Sequence, residues 1–175
     1  VRGFDGLDRR HRHGGHRQFP HQSAPLGGGR KRGAFREAIG RSRGGRTTKI
    51  HALTDAEGRP RVLLLSPGNV NDIAFAPALI AAAGPIKRLI ADKAYDANSL
   101  RQLLADHGAK AVIPSTMSRR QPIHYNKTIY RQRNLIERMF ARLKDFRRIA
   151  TRYDKLARNF LAGAMIAATV VWWLN

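Results

Sequence analysis

The stretch that decides the fold is residues 47–66, TTKIHALTDAEGRPRVLLLS. Residues 47–54 have the length and the β-branched content of a strand, and residues 61–66 predict a second one. Between them, residues 55–60 hold the turn formers Asp, Gly and Pro. Two strands joined by so short a turn favour an antiparallel pair. The sequence therefore predicts a β-hairpin as the first folded unit of the chain.

Alternating helix and strand patterns follow this hairpin. The predicted elements are a helix over 73–80 capped by Asn71 or Asp72, a buried strand over 87–91, an amphipathic helix over 98–107 capped by Asp96, and a strand over 109–113. This order predicts an α/β fold, with a mixed sheet flanked by helices.

Two further helices are predicted in the carboxyl-terminal part. The first is long and basic, over residues 128–148, and the second covers the apolar residues 160–174. The second run is about 15 residues long, short of the roughly 18 to 20 that cross a bilayer. We expect it to pack on the sheet, with Trp172 and Trp173 largely buried, and a membrane anchor is the minor alternative.

Charge and composition limit the classes of function. The 175 residues carry 33 Lys and Arg against 12 Asp and Glu, a net charge of +21, and contain no Cys. Residues 1–50 and 119–158 each hold 13 of the basic and 3 of the acidic residues. Such an excess indicates a polyanionic partner, most simply nucleic acid. The absence of Cys excludes disulfide frameworks, Cys-ligated zinc and thiol nucleophiles, and suits a reducing cytoplasm.

The amino-terminal third differs in composition from the rest. Residues 1–45 are rich in Gly, Arg and His and show no apolar period, which predicts a basic, disordered arm ahead of a folded domain over residues 46–175. His11, His13 and His16 are the residue types of a metal-binding tract, but no orienting carboxylate is near, which favours a solvated tail. Residues 1–10 hold no apolar run of the signal-peptide kind.

Asp92 is the first of two acidic positions that stand out. It follows the apolar run of the predicted central strand, at the carboxyl end where open α/β sheets build their sites. A carboxylate there suits a hard cation. The alternative is that Asp92 only starts the turn over residues 93–96, and position alone favours that alternative.

Glu137 is the second position. At 100° per residue, Tyr130, Arg133, Glu137 and Lys144 lie within one stripe about 60° wide on the long basic helix. The apolar residues between 135 and 146 form a separate face that can dock on the sheet. The stripe can therefore line a site, although Arg133 and Glu137 could equally be an ordinary surface i,i+4 ion pair.

These four residues spell Y-x2-R-x3-E-x6-K, which resembles the signature of bacterial insertion-sequence transposases of the DDE class, the insertion-sequence-five group in particular. Other segments that resemble the family are GRSRGG (40–45), TTKIH (47–51), PGN (67–69), ADKAYD (91–96) and RRIATRYDK (147–155). The resemblance covers about residues 30–175.

The resemblance implies an RNase H-like fold and DNA cleavage and strand transfer at transposon ends, with Mg²⁺ or Mn²⁺ held by two aspartates and a glutamate. Asp92 matches the second aspartate and Glu137 the glutamate, both as catalytic residues and as metal ligands. The implied DNA-binding residues are Tyr130, Arg133, Lys144, Arg147 and Arg148. The implied partner is double-stranded DNA, both transposon ends and target, bound by a homodimer at the bacterial nucleoid without any membrane.

The sequence departs from the family at the first aspartate. In the family this aspartate lies on the opening strand, but residues 18–20 stand where that strand should be. The only acids upstream of them are Asp5 and Asp8, in sequence without a strand pattern, and neither aligns with the family. We therefore expect the first strand to be missing, as in a truncated or frame-shifted copy in which family sequence resumes near His21 or Gly27. Such a chain is expected to lack strand transfer by itself. Two alternatives stay open, a non-catalytic basic DNA-binding remnant and a general RNA-binding protein.

Overall fold

The predicted hairpin is the centre of the fold. The computed structural model describes residues 2–5, 37–42 and 45–174. Strand β3 (Gly45–Thr54) pairs antiparallel with β4 (Pro60–Pro67). In the turn between them, the Asp55 carboxylate accepts the backbone N–H groups of Glu57 at 3.0 Å and Arg59 at 2.9 Å, and also the Arg59 Nε at 2.7 Å. The turn chemistry therefore closes the hairpin as the sequence predicts.

The hairpin belongs to a mixed sheet of six strands. Strand β1 (Arg2–Asp5) runs parallel to β3 and antiparallel to β5 (Arg88–Ile90), and β5 runs parallel to β6 (Lys110–Val112). A short strand, β2 (Gly40–Ser42), pairs antiparallel with the start of β3. The predicted α/β class with a mixed sheet is confirmed.

Strand β1 lies ahead of the hairpin, inside the segment that the sequence predicts to be an arm. The expectation that the family's first strand is missing stays a prediction. Strand β1 lies inside the sheet, with backbone partners on both β3 and β5, and β2 likewise lies within the segment expected to be an arm. Four residues are too few to show a two-residue alternation, and pairing on both sides stabilises β1 whatever its own propensity. Residues 6–36 of the predicted arm, including the three clustered histidines and Asp8, lie outside the described residues.

Helices cover both faces of the sheet. A 3₁₀ turn (Asp72–Phe75) leads into α1 (Ala76–Ala83), and α2 (Asn98–Asp106) follows β5. Neither expected cap forms as predicted. The Asn71 side chain makes no capping hydrogen bond, and α2 begins after Ala97, because Asp96 is engaged by other groups.

The long basic helix is broken, in contrast to the prediction. Helix α3 (Lys127–Tyr130), a 3₁₀ turn (Arg131–Arg133) and α4 (Asn134–Lys144) follow one another, and α5 (Arg147–Ala150) lies beyond a break. The break occurs because Phe146 has an extended backbone, at φ −79° and ψ 105°. Phe146 therefore leaves the predicted apolar face and is 38% exposed.

The last helix, α6 (Ala157–Trp173), packs on β4 and α4 through its small residues and Phe160. Trp172 is half-buried, whereas Trp173 is 50% exposed, so the prediction that both are largely buried is wrong. Each ring lies near an arginine instead. The Arg142 guanidinium is 5.5 Å from the Trp172 ring centroid, and the Arg59 guanidinium is 5.0 Å from the Trp173 ring centroid. Among the described helices, none is both long enough and apolar enough to cross a membrane.

Two apolar clusters fill the space between the sheet and the helices. Because successive side chains of a strand point to opposite faces, Leu53 joins the cluster with α1 and α2, while Ile50 and Ala52 join the cluster with α4 and α6. The helix that carries Glu137 is thus anchored to one face of the sheet, through Ile136, Met139, Phe140 and Leu143.

Candidate active site

Asp92 lies where the sequence predicts it, just beyond the carboxyl end of β5. Its backbone is extended, its side chain is half-buried, and its Oδ1 accepts the backbone N–H of Ala94 at 2.8 Å. The alternative that Asp92 starts the turn over residues 93–96 is therefore confirmed by this hydrogen bond. The same bond orients the carboxylate, which is compatible with ligation through it, because a carboxylate has several acceptor sites.

Glu137 lies in the first turn of α4, anchored by the buried side of that helix. The Glu137 side chain is 59% exposed, and its Oε1 accepts a hydrogen bond from Arg133 Nη2 at 2.6 Å. The surface i,i+4 ion pair raised as an alternative is thus present. Exposed pairs of this type are worth only about 0.3–0.5 kcal/mol, so the pair can be exchanged for other partners.

The Tyr130 hydroxyl lies within electrostatic range of both carboxylates. Burial raises the pKa of the Tyr130 hydroxyl; Arg133 opposes this shift, while the negative charges of Asp92 and Glu137 add to it. The Arg133 guanidinium lies 5.9 Å from the Tyr130 ring centroid. Both carboxylates therefore act on one hydroxyl, although they lie on elements about 45 residues apart in sequence.

Lys144 and the two arginines beyond the break are placed differently. Lys144 ends α4 on the exposed side, in helical register with Glu137. Arg147 and Arg148 lie on α5, after the chain has changed direction. Arg148 donates to both carboxylate oxygens of Asp154, at 3.0 and 2.7 Å, and lowers the pKa of that carboxyl. Of the predicted DNA-binding residues, Arg148 is thus already paired within the chain.

Asp5 is an acidic residue that the sequence did not nominate. Its Cα lies opposite that of Ile90 in the β1–β5 register, two residues before Asp92. Strand β1 also contacts α4 and the 3₁₀ turn before it. The Asp5 backbone thus lies between the strand that leads to Asp92 and the helix that carries Glu137. No local pattern in RGFD signals this position, because the neighbouring strands create it.

Asp96 has a second role that the sequence missed, since it was expected to cap α2. Its buried carboxylate accepts hydrogen bonds from Arg101 at 2.9 Å, from Arg119 at 2.9 and 3.0 Å, and from the backbone N–H of Thr116 at 2.8 Å. Burial alone would raise the pKa of Asp96, but the bonds from Arg119, Thr116 and Arg101 outweigh it and lower the pKa to about 2. Asp96 therefore ties the turn that starts at Asp92 to the loop after β6.

Comparison with known protein families finds a match over most of the chain. The family model described as a transposase DDE domain matches residues 12–172. The chain belongs to this family. The match begins upstream of residues 21–27, where the sequence predicts the family likeness to resume. Assignment to the insertion-sequence-five group stays a prediction. No solved structure matches the chain.

Two relatives carry transposase names. A protein of Brucella ovis named as a transposase for insertion sequence element IS6501 is 35% identical over 127 residues, which are 72% of this chain and 98% of that protein. A protein of Burkholderia cepacia named as a transposase for insertion sequence element IS402 is 31% identical over 137 residues, 72% of this chain and 63% of that protein. The chain is therefore a transposase of the DDE kind by family, and it spans less than two thirds of the second relative.

The donor set fits a divalent cation of the kind this family uses. Asp92 and Glu137 offer carboxylate oxygens, the ligands that Mg²⁺ and Mn²⁺ prefer, and both act on Tyr130. Within the part of the chain whose side chains are described, no group of three or more acidic, His or Cys side chains forms a metal site. Two carboxylates alone bind a cation weakly, so a complete site needs a further donor.

Proposed function

We propose that this DDE transposase cleaves a phosphodiester at a transposon end and transfers the strand to target DNA, with Asp92 and Glu137 holding Mg²⁺ or Mn²⁺. The observation that carries the proposal is the placement of the two carboxylates, Asp92 just after the end of β5 and Glu137 in the first turn of α4, which is anchored on the same sheet. The mixed sheet with helices on both faces is compatible with the RNase H-like fold proposed for the domain. When bound, the metal would activate the attacking oxygen and stabilise the leaving 3′ oxygen.

The third carboxylate in this proposal is Asp5. Its place on β1, beside β5 and against α4, is supported by the strand register alone. A carboxylate shared by two cations would bridge them, and the family resemblance implies that role for the first aspartate. This proposal and the expectation that the chain is inactive by itself predict opposite outcomes of the cleavage assay described below.

Arg133 and Tyr130 would act on the DNA. When Glu137 turns to the metal, the Arg133 guanidinium is released and can hold a phosphate beside the reacting one. The Tyr130 hydroxyl, like any Tyr hydroxyl, is protonated at neutral pH, so it can donate a hydrogen bond to a phosphate oxygen. Lys144, Arg147 and Arg148 would hold phosphates further along the strand.

The proposed partners are double-stranded transposon ends and target DNA, bound by a homodimer, with the protein at the bacterial nucleoid. The +21 charge supports DNA as the partner. A non-catalytic DNA-binding remnant is the second candidate, favoured by the closed Arg133–Glu137 pair. The two candidates differ in cleavage. Only the transposase cleaves DNA, and its cleavage requires intact carboxylates.

The test is a strand-cleavage assay with Mg²⁺ or Mn²⁺ on DNA bearing the ends of the element. We expect the unaltered chain to cleave, and Asp5→Asn, Asp92→Asn and Glu137→Gln each to lower the rate a thousandfold or more, since each removes a proposed metal ligand. Asp106→Asn, at an exposed carboxylate on α2, is the matched control and should keep full activity.

Each failure has a distinct meaning. Full activity in Asp92→Asn or Glu137→Gln would show that the site is misplaced. Full activity in Asp5→Asn alone would remove Asp5 from the proposal and leave the other two carboxylates. DNA binding by the unaltered chain without cleavage under either metal would establish the remnant.

A further inference from the structure

A cleft of about 700 Å³ lies between β3, the end of α4 and the start of α6. Its floor is apolar and buried, formed by Ile50, Phe140, Leu143, Ile149 and Phe160. Its rim carries the exposed cations Arg46, Lys144 and Lys155 and the ring of Tyr153, which is 65% exposed. Two carboxylates also line it, Glu37 and Asp154, of which Asp154 is paired with Arg148, so the cations remain in excess. The volume is in the range of small-molecule sites, and the lining combines an apolar surface with a few charged groups.

Arg152 fixes the shape of this cleft. It donates from Nη2 to the carbonyl oxygens of Glu37 at 2.6 Å and Lys155 at 2.9 Å, from Nε to that of Asp154 at 2.7 Å, and from Nη1 to the Thr48 hydroxyl. Its guanidinium also lies 5.2 Å from the Phe160 ring centroid. Arg152 thus joins three segments of the wall and holds the residues on either side of it, Tyr153 among them, at the rim.

Lys144 links the cleft to the proposed active site. It lines the cleft and also ends the stripe that contains Glu137. The two residues are seven positions apart on α4, which is about 10 Å along a helix axis at 1.5 Å per residue. At about 3.4 Å per nucleotide, that distance corresponds to about three nucleotides of one DNA strand. A strand whose phosphate reacts at Glu137 would reach the cleft about three nucleotides away.

We propose that the cleft binds one unpaired nucleotide of the DNA, with its base on the apolar floor against Tyr153 and its phosphate between Lys144 and Lys155. The proposal rests on the proposed function, which places the reacting phosphate at Glu137. A base in a duplex presents only its edges, so an apolar floor beside an aromatic ring suits a base that has left the stack. The cationic rim favours an anion and opposes a second copy of this +21 chain.

The test uses the full chain without metal and a DNA duplex with a four-nucleotide single-stranded overhang. The fluorescent base 2-aminopurine is placed at each overhang position in turn. We expect binding to quench the fluorescence at one position. Tyr153→Ala should lose the quenching and weaken binding of the overhang DNA about tenfold, because stacking on one aromatic ring is worth about 1–3 kcal/mol per base. Its affinity for blunt duplex should not change.

Two controls sharpen this result. Tyr153→Phe keeps the ring and should keep the quenching, and Lys110→Ala, at an exposed lysine on β6, should behave as the unaltered chain. Equal affinity for overhang and blunt DNA, or full quenching in Tyr153→Ala, would overturn the proposal. Because no metal is present, Tyr153-dependent quenching by a chain that fails to cleave would support the cleft and overturn only the catalytic function.

Discussion

The Arg133 side chain decides which partner Glu137 has. In the structure Arg133 occupies one Glu137 oxygen at 2.6 Å and lies near the face of Tyr130, so a metal ion and Arg133 compete for the same carboxylate. Metal binding would release Arg133, and phosphate binding by Arg133 would release Glu137. Metal and DNA should therefore each strengthen the binding of the other.

Replacing Arg133 tests this competition without any catalytic readout. In the absence of DNA, Arg133→Ala should bind Mn²⁺ about twofold more tightly than the unaltered chain, because the lost ion pair is worth about 0.5 kcal/mol. The DNA-induced gain in Mn²⁺ affinity should shrink. Titration of Mn²⁺ followed by electron paramagnetic resonance measures both quantities. Arg138→Ala, at a neighbouring exposed arginine on α4, should change neither the Mn²⁺ affinity nor its gain on DNA binding. An unchanged gain in Arg133→Ala would contradict competition between Arg133 and the metal for Glu137.

His51 is a buried titratable residue away from the carboxylates. It is 1% exposed, its Nε2 lies 2.7 Å from the Ser66 hydroxyl oxygen, and its ring stacks on Phe75 at 4.6 Å. Burial lowers the pKa of His51 to about 4; the negative charge of Asp72 opposes this shift, and the positive charge of Lys49 adds to it. The folded chain therefore holds this imidazole neutral under conditions in which the unfolded chain protonates it.

The free energy of unfolding should consequently decrease as the pH is lowered. The unfolded pKa of His is about 6.5, so the stabilisation is present above that value and is lost between about pH 6.5 and 4. Between pH 7.5 and pH 5 the contribution of His51 to the free energy of unfolding should fall by about 2 kcal/mol. Urea unfolding at both pH values measures it. His51→Gln should show a correspondingly smaller pH dependence, and an equal dependence in the two proteins would exclude His51 as the cause.

At the scale of elements, α6 illustrates how one helix can have two different faces. Phe160, Ala164, Ala167 and Ala168 pack inward, whereas Met165, Ile166 and Val170 remain exposed. Its small inward residues allow close approach to β4, and the outward residues contribute little to folding.

Removing this helix should prevent stable folding. Deletion of residues 160–175 exposes the cluster that also contains Ile50 and Leu63, so we expect insoluble protein. Ile166→Ser, on the exposed face, should stay soluble with an unchanged unfolding midpoint. Solubility after expression and thermal unfolding by circular dichroism check both variants. A soluble, cooperatively unfolding deletion variant would show that the helix is dispensable.

At the scale of the whole molecule, charge dominates the interaction with DNA. The two basic blocks lie in segments 1–50 and 119–158; the first contributes Arg46 to the rim of the cleft, and the second contributes Lys144 and Lys155. Contacts from these segments go mainly to phosphates, which carry no direct sequence information.

Binding to double-stranded DNA should therefore depend strongly on salt and little on sequence. Neutralising about six phosphates gives a slope of log affinity against log salt of about −5. Fluorescence anisotropy on two unrelated duplexes between 50 and 300 mM salt, as an order-of-magnitude range, measures the slope and the sequence preference together. A slope shallower than about −2 would mean that few phosphates are contacted.

The elements predicted well share one property, that their signal is local. The hairpin has β-branched strands around a Gly and Pro turn, and α2 and α4 have apolar residues at helical spacing, so neighbouring residues alone specify them. The Y-x2-R-x3-E-x6-K spacing is local in the same sense, and with the adjoining motifs it nominates Asp92 and Glu137 as site residues.

Tertiary structure alone decided the remaining features. Strand β1 forms because β3 and β5 supply hydrogen-bond partners on both sides, and Asp5 acquires its place only through that pairing. Arg152 likewise shapes a cleft by joining residues more than 100 positions apart. The amino-acid sequence by itself determined the local elements, the charge and the signature residues, because propensity and spacing act between near neighbours. Pairing partners and buried polar contacts depend on distant segments, so only the folded chain determines them.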